Sequence, residues 1–294
     1  MPVTIRCVSE RADLLGESPV WDPDNGVIYW VDGVSRLLRC HDPREGTFRQ
    51  WAMPSMIGSV ALGDADTLVV GLQDGLYRFH FSDERLEPLF TPEPADQRIR
   101  FNDGKTDREG RFLCGSMGVH ADPLGTLWRI DAAGRHDALV AGIRISNSLC
   151  FSPDGRTLYF ADSVERAIRA YDYPADDGAP GACRTLVDTR AWNTGPDGAT
   201  VDAAGYLWVA LIFAAKIGRF APDGTLDRLI DAPTDLPSSV AFGADDLGTL
   251  FVTSIKDSGS GRAISKDERG GCLFAIEGLG VRGLPERRFP LEAT

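Results

Sequence analysis

The sequence predicts an all-β chain, a six-bladed β-propeller of four-stranded antiparallel blades. Three observations predict it. A short apolar strand recurs six times, at Ile28, Leu68, Phe112, Leu158, Leu207 and Leu250, in steps of 40, 44, 46, 49 and 43 residues. A second apolar strand follows each copy, as in Leu76-Tyr77-Arg78-Phe79 and Leu273-Phe274-Ala275-Ile276. No helical period of about 3.6 residues persists over any long window. A period of roughly 40–50 residues with several short strands per unit is that of a propeller blade.

Each element follows from local chemistry. The segment Val3 to Val8 alternates and is expected to close the ring by joining the last blade, which removes an exposed sheet edge. Within each repeat a short inner strand comes first, such as Ser18 to Trp21 or Ala199 to Val201. Turns rich in Asp, Pro and Gly then open at Asp22, Gly63, Asp107, Ser152, Asp202 and Gly243, and set up a tight hairpin into the apolar strand. A further turn, such as Asp42-Pro43-Arg44-Glu45-Gly46, leads to the fourth strand. The connection between second and third strands is long in blade three, from Phe112 to Leu127, and longest in blade six, from Leu250 to Leu273. Strand alternation puts these loops on the face where the inner strands begin. Loops on a rigid scaffold carry function, so that face is the expected site.

Composition narrows the class. The repeats run through the chain, so residues 1–294 read as one domain. A net charge of −12 argues against nucleic acid and anionic membranes, whose phosphates need clustered Lys and Arg. No basic-then-apolar leader opens the sequence, and no apolar run reaches the ~18 residues of a membrane helix. The six cysteines form no CxxC pair and read as reduced, small hydrophobes, so a cytoplasmic protein is expected. Four scattered histidines without HExxH remove the common zinc-hydrolase patterns.

Superposing the repeats on their turns aligns Glu17, Gly58, Asn102, Asn147, Asp197 and Ser238, each five residues before its turn. All should open inner strands beside the central axis. Two carboxylates and two amides then converge, and no repeated Lys or Arg supplies a counter-charge. Like charges at close range in a desolvated channel repel, so a divalent cation is expected among them. The donors are oxygens, which suits Ca²⁺, Mg²⁺ or Mn²⁺ and accommodates Zn²⁺ or Fe²⁺. Gly58 and Ser238 are expected to give room or a hydrogen bond.

Leu15-Gly16-Glu17-Ser18-Pro19-Val20-Trp21, Arg100-Phe101-Asn102-Asp103-Gly104-Lys105, Ile145-Ser146-Asn147-Ser148-Leu149 and Gly195-Pro196-Asp197-Gly198 resemble motifs of the senescence-marker-protein/gluconolactonase family, which includes the luciferin-regenerating enzymes. The resemblance covers nearly the whole chain. It implies a six-bladed propeller with one divalent metal, held by Glu17, Asn147 and Asp197. It implies substrate contacts from Arg100 and Asn102, with Asp103 in the same motif, and hydrolysis of a sugar lactone to an aldonic acid. Ser18 and Ser148 stand where family members often have Gly. The blade-three loop is shorter than in the animal members, and His120 falls nearest their acidic lid residue.

The implied mechanism has Asp197 as general base toward a water attacking the lactone carbonyl, with charge stabilisation from the cation. No Ser-His-Asp arrangement supports an acyl-enzyme route. The expected partner is a small sugar lactone met by a monomer or small homo-oligomer. His41, Arg144, Lys216, Arg219 and Lys256 are candidates to place positive charge near the pocket, which would suit an anionic lactone. Other readings of the same residues are an esterase or organophosphate hydrolase on the same metal, and a non-catalytic calcium-binding regulatory protein.

Overall fold

The computed structural model describes residues 2–9, 11–64, 66–176 and 178–291. Met1 and residues 292–294, the ends of the expected domain, lie outside them. Six four-stranded antiparallel sheets form the blades. In blade one the strands run from the axis outward as Gly16–Asp22, Val27–Asp32, Leu37–Asp42 and Thr47–Ala52. The innermost strands of blades two to six are Ile57–Leu62, Ile99–Thr106, Ser146–Phe151, Pro196–Val201 and Pro237–Gly243. The only helical elements among the described residues are three single 3₁₀ turns, Ser163–Glu165, Thr189–Trp192 and Ile212–Ala214.

Blade six is completed by the N-terminal strand Thr4–Ser9, which pairs antiparallel with Leu273–Glu277 in the register Thr4↔Glu277 to Cys7↔Phe274. The expected closure therefore holds. Inner strands such as Ile57–Leu62 and Pro196–Val201 are buried on both faces, whereas the outer strand Thr47–Ala52 is exposed except for the half-buried Phe48 and Trp51. The cause is packing between blades, which covers both faces of every central strand and favours near-continuous apolar runs. Each blade interface has its own apolar cluster. Val20 and Tyr29 of blade one meet Val60 and Leu68 of blade two, and the ring closes where Trp21 and Trp30 of blade one meet Phe251 and Leu273 of blade six. All six cysteines are free thiols, and only Cys183 is exposed.

The long connections share the face where the inner strands begin. Val119 N–H of blade three bonds Arg98 O, and Ile255 N–H of blade six bonds Leu236 O, each just before its own inner strand. The opposite face is crossed by the C-terminal segment, which bridges at Asp202↔Gly283 and Gly63↔Phe289. Phe289 is fully buried there, and Arg288 bonds Gly63 O and the Asp22 carboxylate. Glu286 of this segment reaches Lys105 Nζ at 2.9 Å, in a largely buried ion pair at the far end of the channel.

Candidate active site

Every inner strand breaks register next to its axial residue. The irregularities fall at 17–20, 57–59, 101–104, 147–150, 196–199 and 237–239. A bulge inserts an unpaired residue and re-aims the side chain beside it. The six residues aligned by repeat thus all stand at or within a bulge, and the propeller turns these six bulges toward one axis.

The amides are tied to one another. Arg100 Nη1 donates to Asn102 Oδ1 at 2.7 Å. Asn102 Nδ2 donates to Ser146 O at 2.8 Å and to Asn147 Oδ1 at 3.0 Å. Asn147 Nδ2 donates to Ser163 Oγ at 2.8 Å, and that hydroxyl continues to Pro196 O at 2.7 Å, beside Asp197. One hydrogen-bond chain therefore links blades three, four and five behind the axial residues. Gly58 lacks a side chain for a reason: a Cβ there would stand 2.6 Å from Phe101 O and 2.7 Å from the Asn102 Cα. Ser238 Oγ donates to Gly16 O at 2.5 Å and fixes the residue before Glu17. Both act as expected, one giving room and one a bond.

The acids are electrostatically frustrated. Burial, followed by repulsion from Asp197 and Asp103, holds Glu17 well above the usual carboxylate range. Burial and then Asp103 do the same to Asp197. Asp103 itself is pushed up to about 6, mainly by burial, against the pull of the Leu149 N–H and Lys105. The sequence showed no counter-charge for this group, and here the structure corrects it. Arg100 is half-buried and close enough to attract both Glu17 and Asp197, and desolvation lowers its own proton affinity. Arg100 attracts Glu17 and Asp197, while Asp103 is drawn by Lys105, so one guanidinium against two axial carboxylates still leaves negative charge uncompensated. Among the described residues no group of three or more His, Cys, Asp or Glu side chains is arranged to hold a metal. The axial set is two carboxylates and amide oxygens, and this excess of negative oxygen donors fits a hard divalent cation.

The remaining expected residues fall in different places. Asp103 Oδ2 accepts from Leu149 N–H at 2.8 Å, a tie between blades three and four, and it lines a small interior cavity with Ser18, Lys105 and Glu286. His120 is exposed on the blade-three loop, and its backbone carbonyl accepts from Arg262 Nη2 at 2.7 Å. Of the five cations considered for the pocket, His41 is buried inside blade one against Phe48, with Nδ1 at Thr47 O. Arg219 is buried against Asp202 and Asp227, and Lys216 pairs with Asp231. Arg144 and Lys256 remain on the loop face.

Two positioning residues escaped the sequence reading. Asp32 accepts the N–H groups of Leu14 and Leu15, ahead of Glu17. Asp162 accepts those of Arg144 and Ile145, ahead of Asn147. Both close the second strand of a blade, so the repeated terminal Asp was a readable signal.

Residues 15–256 match the SMP-30/Gluconolactonase/LRE-like region. The chain belongs to the SMP-30/Gluconolactonase/LRE-like family. Within it, the chain is 34% identical over 292 residues to a 6-deoxy-6-sulfogluconolactonase of Pseudomonas putida, covering 98% of this chain and 99% of that one. A pentonolactonase of Haloferax volcanii is 33% identical over 291 residues, covering 97% and 98%. The solved structure of a calcium-binding regucalcin from Agrobacterium tumefaciens superposes with a TM-score of 0.91 at 28% identity, covering 98% of each chain. The two serines set against this family's glycines now have a geometric meaning. Ser18 and Ser148 sit in the left-handed region at φ 50° and 57°, a conformation that costs a residue with a Cβ. Each hydroxyl bonds the next blade: Ser18 Oγ accepts from Val60 N–H at 3.0 Å, and Ser148 Oγ donates to Asp197 O at 2.5 Å.

Proposed function

We propose that the chain is a divalent-metal-dependent sugar lactonase, adding water to an aldono-lactone to give the aldonic acid. The observation that carries this reading is the convergence of Glu17, Asn147 and Asp197 at bulges around one axis, with more buried negative charge than Arg100 balances. The lactonase names of two relatives and the calcium-binding description of the structural neighbour support it.

Glu17, Asn147 and Asp197 would hold the cation. Bound there, it supplies Lewis-acid polarisation of the lactone carbonyl and neutralises the buried acids. The oxygen donors would admit Ca²⁺, Mg²⁺ and Mn²⁺, and would accommodate Zn²⁺ or Fe²⁺. Asp197 takes the proton of the attacking water on a carboxylate oxygen and returns it to the ring oxygen as the C–O bond breaks. Burial raises its proton affinity above that of an ordinary carboxylate, which strengthens it as a general base. Arg100 uses Nη1 for Phe101 O and Asn102 Oδ1. Its Nε and Nη2 donors are left for sugar hydroxyls. Asn102 keeps the Asn147 carbonyl oriented. The bulged strands preorganise all of these groups, because none needs a loop to move.

The test is proton release from a panel of aldono-lactones by metal-stripped protein, with each cation added back. Metal-restored turnover in the wild type, lost together with metal binding in Asp197→Ala, is expected. Full activity in Asp197→Ala removes the assignment. Metal binding without turnover of any lactone favours a non-catalytic calcium-binding protein.

A further inference from the structure

We propose that Arg262, at the tip of the blade-six loop, selects a lactone whose terminal carbon carries a sulfonate or phosphate. The proposal rests on the lactonase reading above and names the substrate class of that same site.

The geometry comes from ring closure. Inner strands contact one another in the order one, two, three, four, five, six and back to one. Blades three and six are therefore opposite, yet Arg262 of blade six donates to His120 O of blade three. A contact between opposite blades on the face where inner strands begin runs across the mouth of the channel. The loop is built for this. Its base is a small hairpin with Asp257 bridged to Ile264, Ser258 N–H on Ala263 O at 2.9 Å, and Ser265 N–H on Lys256 O at 2.9 Å. Ala263 and Ile255 pack with Leu15, Ile212 and Leu236, which anchors the base and leaves Arg262 exposed.

The charge pattern points to an anion. Several exposed arginines sit against carboxylates, as Arg98 does with Asp96 and Arg169 with Glu165, whereas Arg36 and Arg166, away from the channel mouth, bond the neutral Pro54 O and Asn193 Oδ1. Arg262 and Arg144 appear in no ion pair among the described residues; Arg144 Nη1 donates to Ala121 O at 3.3 Å, so both guanidinia bond neutral carbonyls of one loop. The neighbouring acids are engaged elsewhere. Asp257 accepts from Gly259 N–H, Asp235 from Ser265 Oγ and Lys266 N–H, and Asp122 attracts Arg98. Arg262 has one Nη2 bond in use, and its remaining fork of donors matches two oxygens of a tetrahedral oxyanion. A lactone carbonyl turned down to the axial acids directs its far, terminal carbon up to this rim.

The experiment compares 6-phosphoglucono-δ-lactone, 6-deoxy-6-sulfoglucono-δ-lactone and glucono-δ-lactone on the metal-loaded wild type, Arg262→Gln and Arg262→Lys. The wild type should prefer at least one anionic lactone over the neutral one by tenfold or more in kcat/KM. Arg262→Gln should lose about tenfold to hundredfold on that lactone, mostly in KM, and under about threefold on the neutral one. Arg262→Lys should recover part of the loss. Preference of the wild type for the neutral lactone, or an equal loss on all three, overturns the proposal. Equilibrium binding of the unreactive glucitol 6-phosphate, 6-deoxy-6-sulfoglucitol and glucitol gives an independent reading. If no lactone turns over, the lactonase reading falls. The proposal then stands only if Arg262→Gln abolishes tighter binding of an anionic polyol, and it fails if glucitol binds as well as both anions.

Discussion

Ser148 stands between Asn147 and the inner strand of the next blade, and its two opposing roles can be separated. Its backbone is left-handed at φ 57°, which costs about 1–2 kcal/mol for a residue with a Cβ. Its fully buried hydroxyl donates to Asp197 O at 2.5 Å, and losing such a donor leaves a buried carbonyl unpaired at about 1–3 kcal/mol. Ser148→Ala keeps the strain and loses the bond, a net cost of about 2 kcal/mol. Ser148→Gly loses the same bond but relieves the strain, less about 0.5–1 kcal/mol for the freer unfolded chain. Glycine should therefore be more stable than alanine by somewhat under about 1 kcal/mol, and both should fall below the wild type. At about 2 °C per kcal/mol for a domain of this size, Tm falls by roughly 4 °C for Ala and roughly 2–3 °C for Gly. Thermal and urea unfolding in excess chelator measures this without a contribution from bound metal. Turnover should fall alike in both, since both release the Asp197 backbone. Alanine equal to wild type, or glycine less stable than alanine, refutes the reasoning.

The metal-free protein should lose stability as pH rises. Glu17, Asp197 and Asp103 all bind protons more tightly when folded than when unfolded, so their contribution is complete below about pH 4 and is lost through about 6 and above. Chelated wild type compared with Glu17→Gln across pH 4–8 isolates this: the glutamine variant should show the weaker loss, and parallel curves would count against a shifted Glu17. Asp13 accepts from Trp30 Nε1 at 2.7 Å and Arg39 Nε at 2.5 Å while its backbone holds Gly271 and Lys256 of the blade-six loop. Asp13→Ala takes the acceptor from the buried Trp30 Nε1 and Arg39 Nε, while Arg39 keeps Gln50 Oε1 at 2.7 Å and Asp32 at 3.8 Å, and should cost about 1–3 kcal/mol in chemical unfolding; a loss under about 1 kcal/mol would show that both donors find other acceptors.

The axial set was legible because the blades repeat. A fixed distance from turn to bulge let Glu17, Asn102, Asn147, Asp197 and Ser238 be aligned without coordinates, and the bulges fall at those positions. Side chains that occur once were not legible in this way. His41 and Arg219 look like surface cations in a row of letters, but strand register turns both into the body of a blade. Arg100 was readable as a hydroxyl contact but not as the counter-charge to Glu17 and Asp197, since that depends on bringing blades one, three and five together.

The sequence alone determined the number of blades, the closing strand and the ring of oxygen donors, because local alternation, turn chemistry and a repeat of fixed length encode them. Only the tertiary structure decided the rest: the left-handed serines bonded to neighbouring blades, the C-terminal segment across the far face, and Arg262 reaching the opposite blade. These are contacts between residues 40 to more than 200 positions apart. No local pattern specifies them, because they exist only once the ring has closed.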